Sequence, residues 1–245
     1  MERAAYSTDL SDLQWALILP LLMISTSKAG RPPEYSLREV INAILYLVHT
    51  GCQWRQLPHD FPPWRSVYYY FRKYDQLWST IHRTIHASLR ADMGKDPEPS
   101  AAIIDSQSVK SSQMTDSRGF DGNKKINGRK RHVVVDTLGF PLVVKVHDAN
   151  KSDSKEAFGI MEILFFWFSG IKMIWADSAY IGSLATYLWC AFLCKLEIVQ
   201  TPKGKGFQVV PVRWIVERTF GWFQWDRRLT IDYERLPQSA ENMVY

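Results

Sequence analysis

A chain of 245 residues is long enough to bury an α/β core and to carry a smaller module beside it, because the fraction of surface buried on folding rises with size. An apolar fraction of 46% with 22% charged residues excludes a disordered or fibrous chain. Thirty Lys and Arg against 25 Asp and Glu leave a net charge of +5, which favours a polyanionic partner through long-range steering.

Residues 7–92 read as helical, with apolar positions at helix spacing over 13–22, 40–48, 67–74 and 77–89. Ser11 with Gln14 and Ser36 with Glu39 have capping-box spacing, Gly51 stops the second helix, and Pro62-Pro63 opens the third. The stretch "GKDPEPS" at 94–100 reads as a linker and sets a domain boundary near 95.

Beyond the linker the pattern changes to short β-branched runs at 101–109, 132–137, 142–147 and 172–176, with a long basic loop after the first and a tight turn at Leu138-Gly139. Helices are expected at about 154–168, 182–194 and 212–225, and a last strand at 196–201. Three strands as a meander followed by alternating helices and strands resemble the ribonuclease-H-like order. The expected fold class is therefore α/β: a ribonuclease-H-like mixed sheet with flanking helices, preceded by a small all-helical amino-terminal domain. This order brings the ends of the first and fourth strands side by side.

Asp105 and Asp177 sit at those ends. In "AAIIDSQSV", Ile103 and Ile104 are apolar on both sides of the pleat, so Asp105 belongs to a strand buried on both faces, and a buried carboxylate needs a cation. Asp177 ends the apolar run "KMIWADSAY" at a strand's carboxyl end, where open α/β sheets place their ligand crevices. Either aspartate alone reads equally well as a cap or turn acid; the pairing points to a shared metal.

Glu217 lies in "VRWIVERTFGWFQW", where helical geometry puts Arg213, Glu217, Gly221, Gln224 and Arg228 on one narrow stripe. The aromatic and aliphatic residues around the rest of the circumference imply a largely buried helix with one polar face. The other reading is an exposed i,i+4 pair of Arg213 with Glu217. Three carboxylates from three elements suit Mg²⁺ or Mn²⁺, which take hard oxygen ligands, and two-metal phosphoryl transfer at a phosphodiester.

Basic residues mark the expected phosphate contacts. The segment 117–132 carries Arg118, Lys124, Lys125, Arg129, Lys130 and Arg131 among glycines that let a backbone approach a ligand, although a solvated charged hairpin has the same composition. In "PPWRSVYYYFRKY", a helix start is combined with Arg65, Arg72, Lys73 and three tyrosines, which suits a helix-turn-helix reader laid against DNA; a plain helical bundle also fits. Arg31 in "GRPP", and Arg213 and Arg218 around Glu217, complete the DNA-binding candidates. Cys52, Cys190 and Cys194 form no disulfide framework, and Cys190 and Cys194 are expected to be buried thiols of a reduced, cytoplasmic protein. No apolar run reaches the roughly 18–20 residues of a spanning helix, so no membrane partner is expected.

The stretches "LSDLQWALILPLL", "GRPPEYSLREVINAILYLVHTGCQWRQLPHDFPPWRSVYYYFRKY", "AAIIDSQSVK", "GRKRHVVVDTLGFPLVVKVHDAN", "WADSAY", "VERTFGWF" and "DYERLP" resemble the transposases of bacterial insertion sequences, specifically the insertion-sequence-five family. The resemblance covers nearly the whole chain. It implies a DNA-binding domain at 1–94 and a ribonuclease-H-like catalytic domain at 95–245, with Asp105, Asp177 and Glu217 as the metal-binding triad. It also implies double-stranded DNA as partner (terminal inverted repeats and target), a homo-oligomer on that DNA, and a nucleoid-associated location.

Two departures stand out. A basic residue often follows the family glutamate by one to two turns, where this chain has Gln224 and Trp225, with Arg227 and Arg228 as candidate substitutes. Family members also usually carry a further helix beyond the position of "ENMVY", so a shortened copy is an expectation. A non-mobile metal nuclease on the same fold, and a DNA-binding regulator with an impaired catalytic centre, are alternatives that the sequence leaves open.

Overall fold

The computed structural model describes residues 3–24, 34–200 and 212–245. Among the described residues, four α-helices come first: α1 (Asp12–Ile24), α2 (Leu37–Thr50), α3 (Trp64–Lys73) and α4 (Trp78–Asp92). The capping box at Ser11 forms as expected, with Gln14 N–H donating to Ser11 Oγ at 3.2 Å and Ser11 N–H to Gln14 Oε1 at 2.9 Å. The box expected at Ser36 does not form. Arg3 donates to Glu39 at 2.7 Å instead, a charge-assisted bond that outcompetes a backbone amide. Gly51 ends α2 with φ of 72° and donates its N–H to Leu47 O at 2.9 Å.

A six-stranded mixed sheet follows, made of β1 (Ala101–Lys110), β2 (Gly119–Asp121), β3 (Ile126–Asp136), β4 (Pro141–Asp148), β5 (Met173–Ala176) and β6 (Lys195–Ile198). β3 runs antiparallel to both β1 and β4, whereas β1, β5 and β6 are parallel neighbours. β3 begins at Ile126, well before its β-branched run, because its first residues pair with β2 and the next ones with β1 and β4. The expected basic loop is therefore a hairpin, and its second strand enters the middle of the sheet.

Alternation along the strands builds two cores. Ala102, Ile104, Val134 and Val143 pack against α5 (Asp153–Trp167) and α6 (Leu184–Phe192). Ile103, Val133, Val135 and Val144 share the other core with Val40, Leu47, Val67 and Phe71 of the first helices and with Val216 of α7 (Arg213–Phe223). The helical region thus packs directly on the sheet. Asp136 adds a polar tie: it accepts from Arg90 Nη1 at 2.5 Å and from the amides of Leu138 and Phe140 in the turn after β3.

The last residues form two short helices that were not legible in the sequence, α8 (Arg227–Thr230) and α9 (Pro237–Asn242). α9 covers the outer edge of β4: Glu241 accepts from Val146 N–H at 3.0 Å and the Tyr245 hydroxyl from Val144 N–H at 2.8 Å. Those amides would otherwise offer an open strand edge. Among the described residues, no helix is long and apolar enough to cross a membrane.

Candidate active site

The parallel register of β1 and β5 creates the core of the site. Ala101, Ala102 and Ile103 pair with Met173, Ile174 and Trp175, and continuing that register sets Asp105 beside Asp177 on the face towards α7. Asp177 is held by its own backbone: Oδ1 accepts the Ala179 amide at 2.8 Å and caps a short 3-10 turn, Ser178–Tyr180. α7 supplies Glu217. The helix is anchored on the turn between β3 and β4, where Arg218 Nη2 donates to Leu138 O and Thr219 Oγ1 to Gly139 O, both at 2.7 Å. Gly139 has φ of 88°, and a Cβ there would stand 2.9 Å from Arg218 Nη2, so this docking requires glycine.

Arg213, one turn before Glu217, brings the three acids to one point. Its Nη2 lies 3.5 Å from Asp105 Oδ2, 3.7 Å from Glu217 Oε1 and 3.9 Å from Asp177 Oδ2. The i,i+4 pair of Arg213 and Glu217 therefore exists, in front of the two aspartates instead of on an isolated solvated face. The side chains differ in exposure, from 14% at Asp105 through 26% at Asp177 to 54% at Glu217. Burial pushes the Asp105 carboxyl up to about 6; the Ser106 amide opposes that, the like charge of Asp177 adds to it, and Arg213 and Lys124 pull it back. Among the described residues, no three His, Cys, Asp or Glu side chains stand in ligating geometry about a single ion. The acids face a shared guanidinium.

α7 departs from the expected buried helix. Trp214 is 41% exposed and, just past the helix, Trp225 is 75% exposed, because the apolar surface is divided between the core and a surface stack. In that stack the Arg218 guanidinium lies between Trp214 and Trp222, 4.7 and 4.6 Å from the ring centroids. Arg218 is thus engaged in packing and docking, and its guanidinium is part-buried. The polar stripe also ends early. Arg228 is buried against Glu234 at 2.6 Å and donates to Cys52 O, so it cannot serve as the basic residue following the glutamate; Arg227 is exposed.

Three of the basic candidates on β3 are also corrected. Arg129 is fully buried and bonds Ser117 O, Asp232 Oδ2, Glu234 O and Arg235 O at 2.7–3.1 Å. Lys130 is buried between Lys151 O and Asp153, each at 2.9 Å. Arg131 is buried, and that burial pushes its pKa down to about 10. None of these three faces a phosphate, because strand pairing on both sides turns them into the core layers. Arg118, Lys124 and Lys125 remain exposed around the hairpin, and Lys124 Nζ donates to Ser106 O at 2.9 Å, next to Asp105.

On α3, Arg65 and Lys73 are exposed with Tyr69 between them at helical spacing, while Arg72 is half-buried and bonds Ser239 Oγ at 2.6 Å. Arg31 lies outside the described residues. Cys194 is buried as expected, and Cys190 is exposed.

Sequence reasoning missed a buried polar floor behind the aspartates. His132 pairs across the sheet with Ser106, its Nδ1 lies 2.7 Å from His147 Nε2, and its Nε2 lies 3.3 Å from Asp153 Oδ1. Burial drives the His132 imidazole down to about 3, so it stays neutral. The two histidines flanking the turn of "HVVVDTLGFPLVVKVH" were the available signal.

Comparison with known families agrees with this architecture. Residues 10–82 match a family model described as "Putative transposase of IS4/5 family", and residues 96–244 match the model "Transposase DDE domain". No curated protein matches the chain. The sheet with its flanking helices is the ribonuclease-H-like fold of that domain. With the second match spanning well over half of its residues, the chain belongs to the DDE transposases of the IS4/IS5 family.

Proposed function

We propose that this transposase cleaves DNA at the terminal inverted repeats of its element and joins the freed ends to target DNA, using Mg²⁺ or Mn²⁺ held by Asp105, Asp177 and Glu217. The observation that carries the reading is the convergence of these three acids, from three separate elements, on one cationic nitrogen within 3.9 Å. Their oxygens are the hard donors those ions take, and the raised Asp105 carboxyl marks a desolvated acid whose ionised form a cation stabilises. When bound, the ions supply the charge that activates an attacking water or 3′-hydroxyl and stabilises the leaving oxygen.

The residues of the chain do the rest. Asp105 is fixed by the central strand and Asp177 by the Ala179 amide, so both are preorganised. Glu217, more exposed and on a helix docked at Gly139, completes the set from the open side. In residues 1–94, Arg65, Tyr69 and Lys73 offer α3 to the duplex. In residues 95–245, Arg118, Lys124 and Lys125 hold phosphates beside Asp105 without reading sequence. The complex on DNA is a homo-oligomer, at work in the cytoplasm on the nucleoid.

The test is a labelled terminal-repeat duplex incubated with the protein and Mg²⁺. Nicking at the element boundary followed by strand joining is expected. Cleavage without joining identifies a nuclease, and binding alone a regulator. Asp105→Asn is expected to abolish cleavage while leaving DNA binding intact; retained cleavage overturns the assignment.

A further inference from the structure

We infer that Arg213 is a resident cation that occupies the seat of the divalent ions until DNA draws it away, so that metal loading is coupled to DNA binding. The inference rests on the metal-centred reading above and concerns its regulation.

Three observations carry it. First, Nη2 of Arg213 stands at the point on which Asp105, Asp177 and Glu217 converge, 3.5–3.9 Å from each. Three carboxylates around a partly desolvated point repel one another unless a positive charge lies between them. The Arg213 side chain is only 17% exposed, which leaves that charge poorly screened. An ion arriving at the same point would face both the space and the charge of the guanidinium.

Second, the guanidinium is held loosely. The distances to its three acids exceed hydrogen-bond length, and its buried Nε has no partner among the described residues. Arg129 shows what a fixed arginine looks like here, with four bonds at 2.7–3.1 Å to the backbone and a carboxylate. Arg213 is therefore free to turn about its side-chain bonds while α7 stays docked through Arg218 and Thr219.

Third, the planar fork of a guanidinium pairs best with a carboxylate or phosphate in bidentate fashion, and none of the three acids offers that geometry here. A DNA phosphate entering beside Lys124 does. Moving Arg213 from the acids to that phosphate leaves three uncompensated carboxylates, which is the state that takes up divalent ions. Because coupling between two ligands is reciprocal, DNA raises ion affinity and ions raise DNA affinity by the same factor.

The experiment is a Mn²⁺ titration of the full chain, read by calorimetry, with and without a short terminal-repeat duplex. It uses the wild type, Arg213→Gln and Asp105→Asn. Without DNA, Arg213→Gln is expected to bind Mn²⁺ at least about tenfold tighter than the wild type, and the duplex to tighten the wild type but not Arg213→Gln. Unchanged or weaker Mn²⁺ binding by Arg213→Gln overturns the inference.

If Arg213→Gln does not fold, the wild type decides. Tightening by the duplex beyond that seen with Asp105→Asn is required, and its absence is contrary. Failure of the metal-centred reading looks different, because Asp105→Asn would then leave Mn²⁺ binding unchanged in the presence of DNA.

Discussion

Within one short stretch, Lys124 and Lys125 lie exposed at the tip of the β2–β3 hairpin, Lys124 reaching back to Ser106 O, while Arg129, Lys130 and Arg131, just beyond Gly128, are sealed inside the sheet. The residue types are the same and their environments opposite. What separates them is pairing: from Arg129 onward β3 has β1 on one side and β4 on the other, so its side chains must enter one of two covered layers. Buried cations then need acceptors, which Arg129 finds at Asp232, Glu234 and Arg235 and Lys130 at Asp153. A run of basic residues therefore contains two populations, one that builds the fold and one that faces a ligand.

The sharpest way to break this comparison is Arg129→Ala. Removing one partner of a buried pair leaves Asp232 and several carbonyls without their donor, and a loss of about 3–5 kcal/mol of stability is expected in urea unfolding. Wild-type stability with weakened DNA binding would reverse the division.

Acid should act next, on the same buried layer. His132, held down to about 3, and His82 of α4, held down to about 4, bind protons more readily when unfolded. Their contribution is complete above about pH 6.5 and is lost as pH falls towards those values, by up to about 1.4 kcal/mol per pH unit each. Asp105, raised to about 6, works in the opposite sense in the metal-free protein, giving stability at low pH that fades as pH rises through 6. The unfolding midpoint at pH 5.5 should lie below that at pH 7, because over that interval the two histidines lose more than Asp105 returns; an equal or higher midpoint at pH 5.5 contradicts the burial of neutral histidines.

The exposed population is expected to behave differently. Neutralising Arg118, Lys124 and Lys125 together should leave the unfolding midpoint nearly unchanged. The same variant should weaken binding to every duplex and make the slope of log K against log salt shallower by about 2–3. Altered sequence preference at constant salt slope would contradict a phosphate role. The smallest effect is expected from Arg235→Ala, which breaks an exposed pair with Asp116 and should leave the unfolding midpoint indistinguishable from that of the wild type.

Much of the fold could be read from the sequence because its signals are local or periodic. The helix patterns of the first ninety residues, the doubly apolar strand around Asp105 and the strand-end position of Asp177 all lie within a few neighbours of the residues they explain. Glu217 was legible as part of a helical stripe. The rest depended on partners far along the chain: Asp232 lies 103 residues from Arg129, and Ser239 lies 167 residues from Arg72. No local pattern announces such partners. The meeting of Arg213 with both aspartates was hidden for the same reason, since helix spacing revealed only its pairing with Glu217.

The most direct test of the metal centre is anomalous diffraction from crystals of the protein grown with a short terminal-repeat duplex and Mn²⁺. Anomalous density between the carboxylates of Asp105, Asp177 and Glu217, with Arg213 turned to a phosphate, is the predicted result. Ordered DNA in the cleft with no Mn²⁺ signal at those three acids would contradict the account.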